Sequence, residues 1–325
     1  MAVYTQLNSN EVLSIINQYK IGELIEYNGI QEGIENTNYY IKTTYGKFIL
    51  TIFENRVNLE DIPFFVNLMK HLNQNDFASP EPIQDQNGKI IKNFKNKKFI
   101  IVSFLEGNSK INFISEDCFL VGKLIGDLQD KTKSFNLTRK NNLSLEGCNL
   151  IFENCKNSIS PNKANQIYHN LYYLIETSLN ECKLNWPTHL PRGIIHGDLF
   201  PDNVFFKNNK ISGVIDFYFS CVDIKIYELS IVINAWCFDK NNILNIDKVK
   251  NLIMGYKMHN NLTIKELKYV HILSKGACLR FLLTRLFDWF NTPEFSYVKK
   301  KDPQEYLQKL NYFNSNTLDF LYDDF

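Results

Sequence analysis

The sequence predicts an α+β protein of two lobes, an antiparallel-sheet N-terminal lobe over residues 1–107 and a mostly helical C-terminal lobe over 108–325. Three observations carry that reading. The 325 residues are long for one compact core, so two packed bodies are expected. Up to Gly107 short apolar runs alternate with glycine- and asparagine-bearing turns, whereas beyond it apolar residues recur at helical spacing. A composition of 44% apolar and 22% charged residues is that of an ordinary globular chain.

Within the first lobe, Asn10 precedes a helical pattern of Val12, Ile15, Ile16 and Tyr19, which Gly22 ends. A β-like run to Gly29, a loop over 29–36, a strand around 38–42, a turn at Tyr45-Gly46 and the strand KFILTIFE follow. From Leu59 to Asn73 the spacing of Phe65, Leu68, Met69 and Leu72 is helical, with Pro63 tolerable only in the first turn. Pro80 and Pro82 break the chain, strands over 89–94 and 98–105 flank the turn KNK, and 105–109 reads as a linker. In the second lobe Ser115 caps a helix with Phe119, Leu120, Leu124, Ile125 and Leu128 on one face. A long polar helix is expected near 161–183, a strand-and-turn island over 192–217, and helix from Asp223 to the end.

Several classes of function are excluded early. A net charge of +1, with no basic stripe, argues against nucleic acid or an anionic membrane as partner. No apolar stretch of about 18 residues is present, and the N-terminus lacks a basic region leading into an apolar run. Seven cysteines without a C-x-x-C pair read as reduced, buried thiols, so a cytoplasmic monomer or homodimer is expected. Trp186, Trp236 and Trp289 read as core residues, and the histidines show no metal-ligand spacing.

Chemistry concentrates in IIHGDLFPDNVFFKNNKISGVIDFY, where Asp198, Asn203 and Asp216 stand at defined offsets between apolar runs. The turn KNNK returns the chain as the strand ISGVIDF, and Asp216 is expected at its end, facing back toward Asp198 and Asn203. Asn203 and Asp216 suit Mg²⁺ on nucleotide phosphates, leaving Asp198 to orient and deprotonate an acceptor hydroxyl. His196 reads as a brace of the loop more than as a proton carrier. Asp223 and Glu228 read as stabilisers of the connection that follows, with Asp223 as the brace reaching the catalytic loop.

The H-G-D-x-x-x-x-N form, with Gly197 where protein kinases usually carry Arg, resembles the small-molecule branch of the protein-kinase-like superfamily, in which aminoglycoside and choline kinases belong. The two-lobed protein-kinase-like fold follows from that resemblance. ATP would lie against the first lobe, where Gly29, Gly33 and Asn36 form a loop with two glycines four apart and Glu106 ends a linker-like strand. The strand after this loop holds Thr51 where the superfamily offers Lys; Lys42, Lys47 and Arg56 are the candidate substitutes, unless hydroxyl and backbone donors suffice.

The opening VYTQLNSNEV, the stretch GIQEGIENTNYYIKTTYGKFILTIFE, Ile62-Pro63-Phe64-Phe65 and HGDLFPDNVFF resemble bacterial homoserine kinases of the aminoglycoside-phosphotransferase-like type, from about Val3 to beyond Asp288. The resemblance implies ATP-dependent phosphorylation of the L-homoserine side-chain hydroxyl, feeding threonine biosynthesis. Its alternatives are a kinase for another small hydroxylated amine (choline, ethanolamine or an aminoglycoside) and an inactive kinase-like binding module. For the acceptor's carboxylate the candidates are Arg139, Arg280 and Arg285, the last sharing a helical face with Asp288 either as a fork or as an internal pair. Glu35 and Asp202 are the candidates for its ammonium.

Overall fold

The computed structural model describes residues 4–31, 36–54, 57–158, 166–292 and 300–322. It forms two compact units, one of Met1–Ser109, Ser134–Arg139 and Val204–Tyr218, the other of Lys110–Lys133, Lys140–Asn203 and Phe219–Phe325. The chain thus enters the first unit three times, where the sequence reading divides it once, between 107 and 108.

In the first unit, helix α1 (Ser9–Ile16) begins one residue before Asn10. Asn8 is its cap: the Asn8 Oδ1 accepts from the Glu11 amide at 3.0 Å, and the Glu11 carboxylate accepts from the Asn8 amide at 2.9 Å. That reciprocal pair satisfies two otherwise orphaned donors. Strands β1 (Leu24–Ile30), β2 (Thr37–Thr43), β3 (Gly46–Ile52), β4 (Lys92–Phe94) and β5 (Lys97–Ser103) form an antiparallel sheet in the order β1-β2-β3-β5-β4. Val12, Ile15 and Ile16 of α1 are buried with Ile41, Leu50, Ile52, Phe99 and Ile101 of the sheet. Lys95 and Asn96 both take positive φ (46° and 63°), the two-residue hairpin turn whose twist matches that of the strands. Helix α2 (Ile62–Gln74) carries Pro63 in its first turn, where no amide is needed.

The last two residues of the stretch read as a linker form strand β6 (Asn108–Ser109), an edge of a small sheet with β8 (Val204–Lys207) and β9 (Lys210–Val214). Gly107 makes this possible: φ is +131°, and a Cβ there would meet Ser212 Oγ at 2.3 Å and the Phe206 carbonyl oxygen at 2.9 Å. Asn208 and Asn209, both at positive φ, turn β8 into β9.

Among the described residues the second unit is helical apart from one strand pair, β7 (Arg192–Ile195) and β10 (Cys221–Ile224). Its helices are α3 (Ser115–Lys131), α4 (Leu145–Ser158), α5 (Gln166–Asn185), α6 (Lys225–Trp236), α7 (Ile246–Lys257), α8 (Ile264–Leu267), α9 (Val270–Asn291) and α10 (Gln304–Ser315). Ser115 is the first residue of α3 and not its cap; the Ile114 amide donates to the Asp117 carboxylate at 2.9 Å. The long polar helix starts at Gln166 among the described residues. Helix α4 lies where no helix was expected, because Gly147 and three asparagines lower its intrinsic propensity and burial of Cys148, Phe152 and Cys155 decides the matter. All seven cysteines are buried and unbridged, as expected, and no helix among the described residues is long and apolar enough to cross a membrane.

Candidate active site

The His196-Gly197-Asp198 segment leaves β7 at its C-terminal end. Strand pairing with β10 fixes where that end lies, with Ile195 opposite Cys221. Gly197 then takes φ +79°, and a Cβ there would come within 2.9 Å of the Phe219 carbonyl oxygen, so only glycine lets the chain pass. His196 is buried, its Nδ1 accepts from the Asp198 amide at 3.2 Å, and its carbonyl accepts from Ser220 Oγ at 3.3 Å. These bonds place it as a brace.

Asp198 is half-buried and joined to Asn203 by a single 3₁₀ turn, Pro201–Asn203. The Asn203 Nδ2 donates to the Asp198 carbonyl at 2.8 Å and to Asp198 Oδ2 at 3.1 Å. One amide therefore holds both the backbone and the carboxylate of Asp198. Committing Nδ2 to that task turns the Asn203 Oδ1 away from Asp198. The indole of Trp236 anchors the same turn, donating to the Leu199 carbonyl at 2.9 Å.

Beneath the loop sits Glu228 of α6, 0% exposed. Its Oε2 accepts from the Gly197 amide at 3.0 Å, and the His196 amide also donates to the carboxylate. Burial pushes this carboxyl up to about 7; the two amides and Arg280 pull it down, and Asp198 pushes it up. The sequence reading assigned the reach to the loop to the wrong acid. Asp223 instead ties β7 and α6 together, accepting from Asn141 Nδ2 at 2.7 Å, from the Ile224 amide at 2.8 Å and pairing with Arg192 at 3.2 Å. The signal that could have singled out Glu228 is its place at the fourth position of a mostly apolar helix, where a carboxylate must have partners.

In the first unit Asp216 follows β9 and takes φ +65°. That left-handed conformation is uncommon outside glycine and clusters at functional sites. Two residues on, the ring of Tyr218 packs edge-on against Phe53 (5.3 Å) and Phe65 (5.7 Å), and its hydroxyl is hydrogen-bonded to Thr51. Thr51 is buried and donates to Asn38 Oδ1 at 2.8 Å, so the position where the superfamily carries Lys is filled by a hydroxyl network. Gly29 lies within β1 opposite Tyr39, not in a loop, and Asn36 Oδ1 accepts from the Glu54 amide at 3.4 Å. Glu106 pairs with Lys47 at 2.8 Å. Lys42 is exposed opposite Lys47 on β2. Gly33, Glu35 and Arg56 lie outside the described residues.

The acceptor candidates scatter. Arg139 is 13% exposed at the side chain, pairs with Asp61 at 2.6 Å and lies 5.0 Å over the Phe65 ring. Arg139→Ala is therefore expected to destabilise the fold by about 1–3 kcal/mol while leaving the KM for the acceptor unchanged, as parallel melting and kinetic measurements would show. Arg280 is buried over Phe281 (4.7 Å), hydrogen-bonded to Tyr227 and within the field of Glu228. Arg285 pairs with Glu305 at 2.7 Å on another helix, not with its neighbour Asp288, whose charge bears on Cys155, a thiol pushed up to about 12 chiefly by burial. Asp202, 65% exposed at the side chain, faces Lys301 at 3.6 Å.

Asn203 of the second unit carries an amide oxygen and Asp216 of the first a carboxylate, each by itself a hard oxygen donor of the kind that Mg²⁺ takes beside phosphate and water. Among the described residues no cluster of three His, Cys, Asp or Glu is assembled for a metal.

Comparison with known proteins gives the same answer from another direction. A model of the phosphotransferase enzyme family matches residues 26–250. The chain is 42% identical over 315 residues to the homoserine kinase of Bartonella henselae, covering 97% of both proteins. It is 40% identical over 312 residues to that of Rhizobium meliloti, covering 96% of this chain and 94% of that one. Among solved structures, the amicoumacin kinase hAmiN in complex with AMP-PNP, Ca²⁺ and Ami superposes with a TM-score of 0.71 at 14% identity, over 95% of this chain and 92% of that one. Choline kinase from Cryptosporidium parvum gives 0.64 at 15% identity, over 95% of both chains.

Proposed function

The chain belongs to the homoserine kinases of the phosphotransferase enzyme family, with their two-lobed protein-kinase-like fold, and from that premise we propose that it transfers the terminal phosphoryl group of ATP to the side-chain hydroxyl of L-homoserine in the cytoplasm. One observation carries the assignment of roles: the Asn203 amide fixed on both the carbonyl and the carboxylate of Asp198. The first lobe cradles the nucleotide, with Gly29, Gly33, Asn36, Thr51 and Glu106 along it, and the second carries the acceptor.

Asp198 accepts the proton of the homoserine hydroxyl as its oxygen bonds to the γ-phosphorus and the bond from that phosphorus to the β,γ-bridging oxygen breaks, leaving ADP. Asn203 sets the plane of the Asp198 carboxylate, so the acceptor meets an oriented base rather than a rotating one. Asn203 Oδ1 and the Asp216 carboxylate would hold Mg²⁺, which when bound neutralises the phosphate charge. Glu228 and Trp236 keep the loop's backbone fixed while the charge on Asp198 changes. Positioning and electrostatics of this kind supply most of the acceleration in phosphoryl transfer.

A coupled ADP-release assay with L-homoserine, choline, ethanolamine and an aminoglycoside tests the reading. ADP release should depend on homoserine, vanish with EDTA and return on adding Mg²⁺ in excess. Release with choline and none with homoserine would refute it.

A further inference from the structure

At the start of α10, two cations and one carboxylate surround a tyrosine whose hydroxyl has no use in the resting protein. Tyr306 is 0% exposed, and its hydroxyl makes no hydrogen bond. The Arg285 guanidinium lies 4.5 Å from its ring centroid and the Lys309 ammonium 4.7 Å. Glu305 bridges the two cations, at 2.7 Å from Arg285 and in contact with Lys309. The count leaves one positive charge over. Lys309 is anchored separately by the Asn234 carbonyl at 2.8 Å, and Arg285 by the Asp302 carbonyl at 2.9 Å.

This cluster is connected to the catalytic loop. Phe200, two residues after Asp198, packs on Phe281 at 4.8 Å, and Phe281 on Tyr306 at 5.4 Å. Burial holds the Tyr306 phenol protonated, and among the charges acting on it Arg285 and Glu305 outweigh Asp198. The hydroxyl is thus an unused donor beside two cations that share one carboxylate, joined to the catalytic loop through the Phe281 and Phe200 rings. An anion is the partner such a donor suits.

We infer that this turn of α10 binds the carboxylate of the acceptor amino acid, the Tyr306 hydroxyl donating to it while Arg285 exchanges the Glu305 carboxylate for it. The inference rests on the proposed function and names the carboxylate end of the same site. Glu305 is suited to give way: its side chain is 41% exposed, and Lys309 retains it after Arg285 lets go. Tyr306 and Arg285 then separate homoserine from alcohols that share its amine and hydroxyl but lack the carboxylate.

The test compares L-homoserine with 3-amino-1-propanol, the same amino alcohol without the carboxylate, in wild type, Tyr306→Phe and Arg285→Lys. Wild type should favour homoserine by about 10²-fold or more in kcat/KM, as sites that bond a polar group reject substrates lacking it. Tyr306→Phe should raise the homoserine KM by about tenfold, leave kcat near wild type, and leave kcat/KM for the aminopropanol unchanged. Its melting temperature should not fall, since the hydroxyl removed has no partner at rest. Arg285→Lys should show the same selective loss through its missing fork. An unchanged homoserine KM in both variants, or an equal loss on both substrates, overturns the inference alone. A wild type that does not phosphorylate homoserine overturns the proposed function, and this with it.

Discussion

Asp198→Asn should lower turnover on homoserine by about 10²–10⁴-fold, the usual consequence of removing a general base. The substitution is close to isosteric. The Asp198 carbonyl still accepts from Asn203, and the loop keeps its bonds to Glu228 and Trp236. What is lost is the carboxylate proposed above to receive the acceptor proton. Nucleotide affinity should therefore stay near that of wild type while kcat collapses. Stopped-flow or calorimetric binding of Mg-ATP beside steady-state rates separates the two. If Asp198→Asn retained more than about a tenth of wild-type kcat, proton removal by this residue would not be a major part of the barrier.

Glu228 should produce the second large effect, on stability. Glu228→Ala leaves the Gly197 and His196 amides without their acceptor and Arg280 without a buried counter-charge. Breaking such a set by removing one partner costs about 3–5 kcal/mol. Glu228→Gln keeps an acceptor oxygen and should cost less. The pH dependence separates the two roles. The folded carboxyl sits at about 7 against the ordinary 4.5 of a free glutamate, so between those values the native state holds a proton that the unfolded state has released. Stability from this group is complete below about 4.5 and is lost as pH rises through about 7. Relative to Glu228→Gln, wild type should lose roughly 3 kcal/mol across that window. Urea unfolding at pH 5 and pH 8 measures the difference, and parallel slopes for the two proteins would contradict it.

Where a function depends on neighbours in the chain, the sequence was readable. The hairpin at Lys95-Asn96, Pro63 in the first turn of α2, and the loop joining Asp198 to Asn203 all depend on residues within about five positions of one another. Reading failed where distant partners decide. Arg139 finds Asp61 from 78 residues away, and Arg285 finds Glu305 across a connection between two helices. Charge pairs of that kind leave no periodic trace, so from the sequence a local Arg285–Asp288 pair is just as reasonable. Helix α4 escaped because its asparagines and glycine argue against a helix, and only burial outweighs them. Asp223 and Glu228 were both singled out, but which acid meets the loop follows from the pairing of β7 with β10, a long-range fact. The helix begins ahead of Asn10 because the Asn8 amide donates to the Glu11 carboxylate and Asn8 caps the first turn.

The most direct measurement is ³¹P NMR of a reaction holding the protein, Mg-ATP and L-homoserine. The account predicts a phosphomonoester resonance coupled to the side-chain methylene protons, growing in equal amount with ADP and absent with Asp198→Asn. Equal growth of ADP and inorganic phosphate with no such ester, or an ester that forms undiminished without the Asp198 carboxylate, would contradict it.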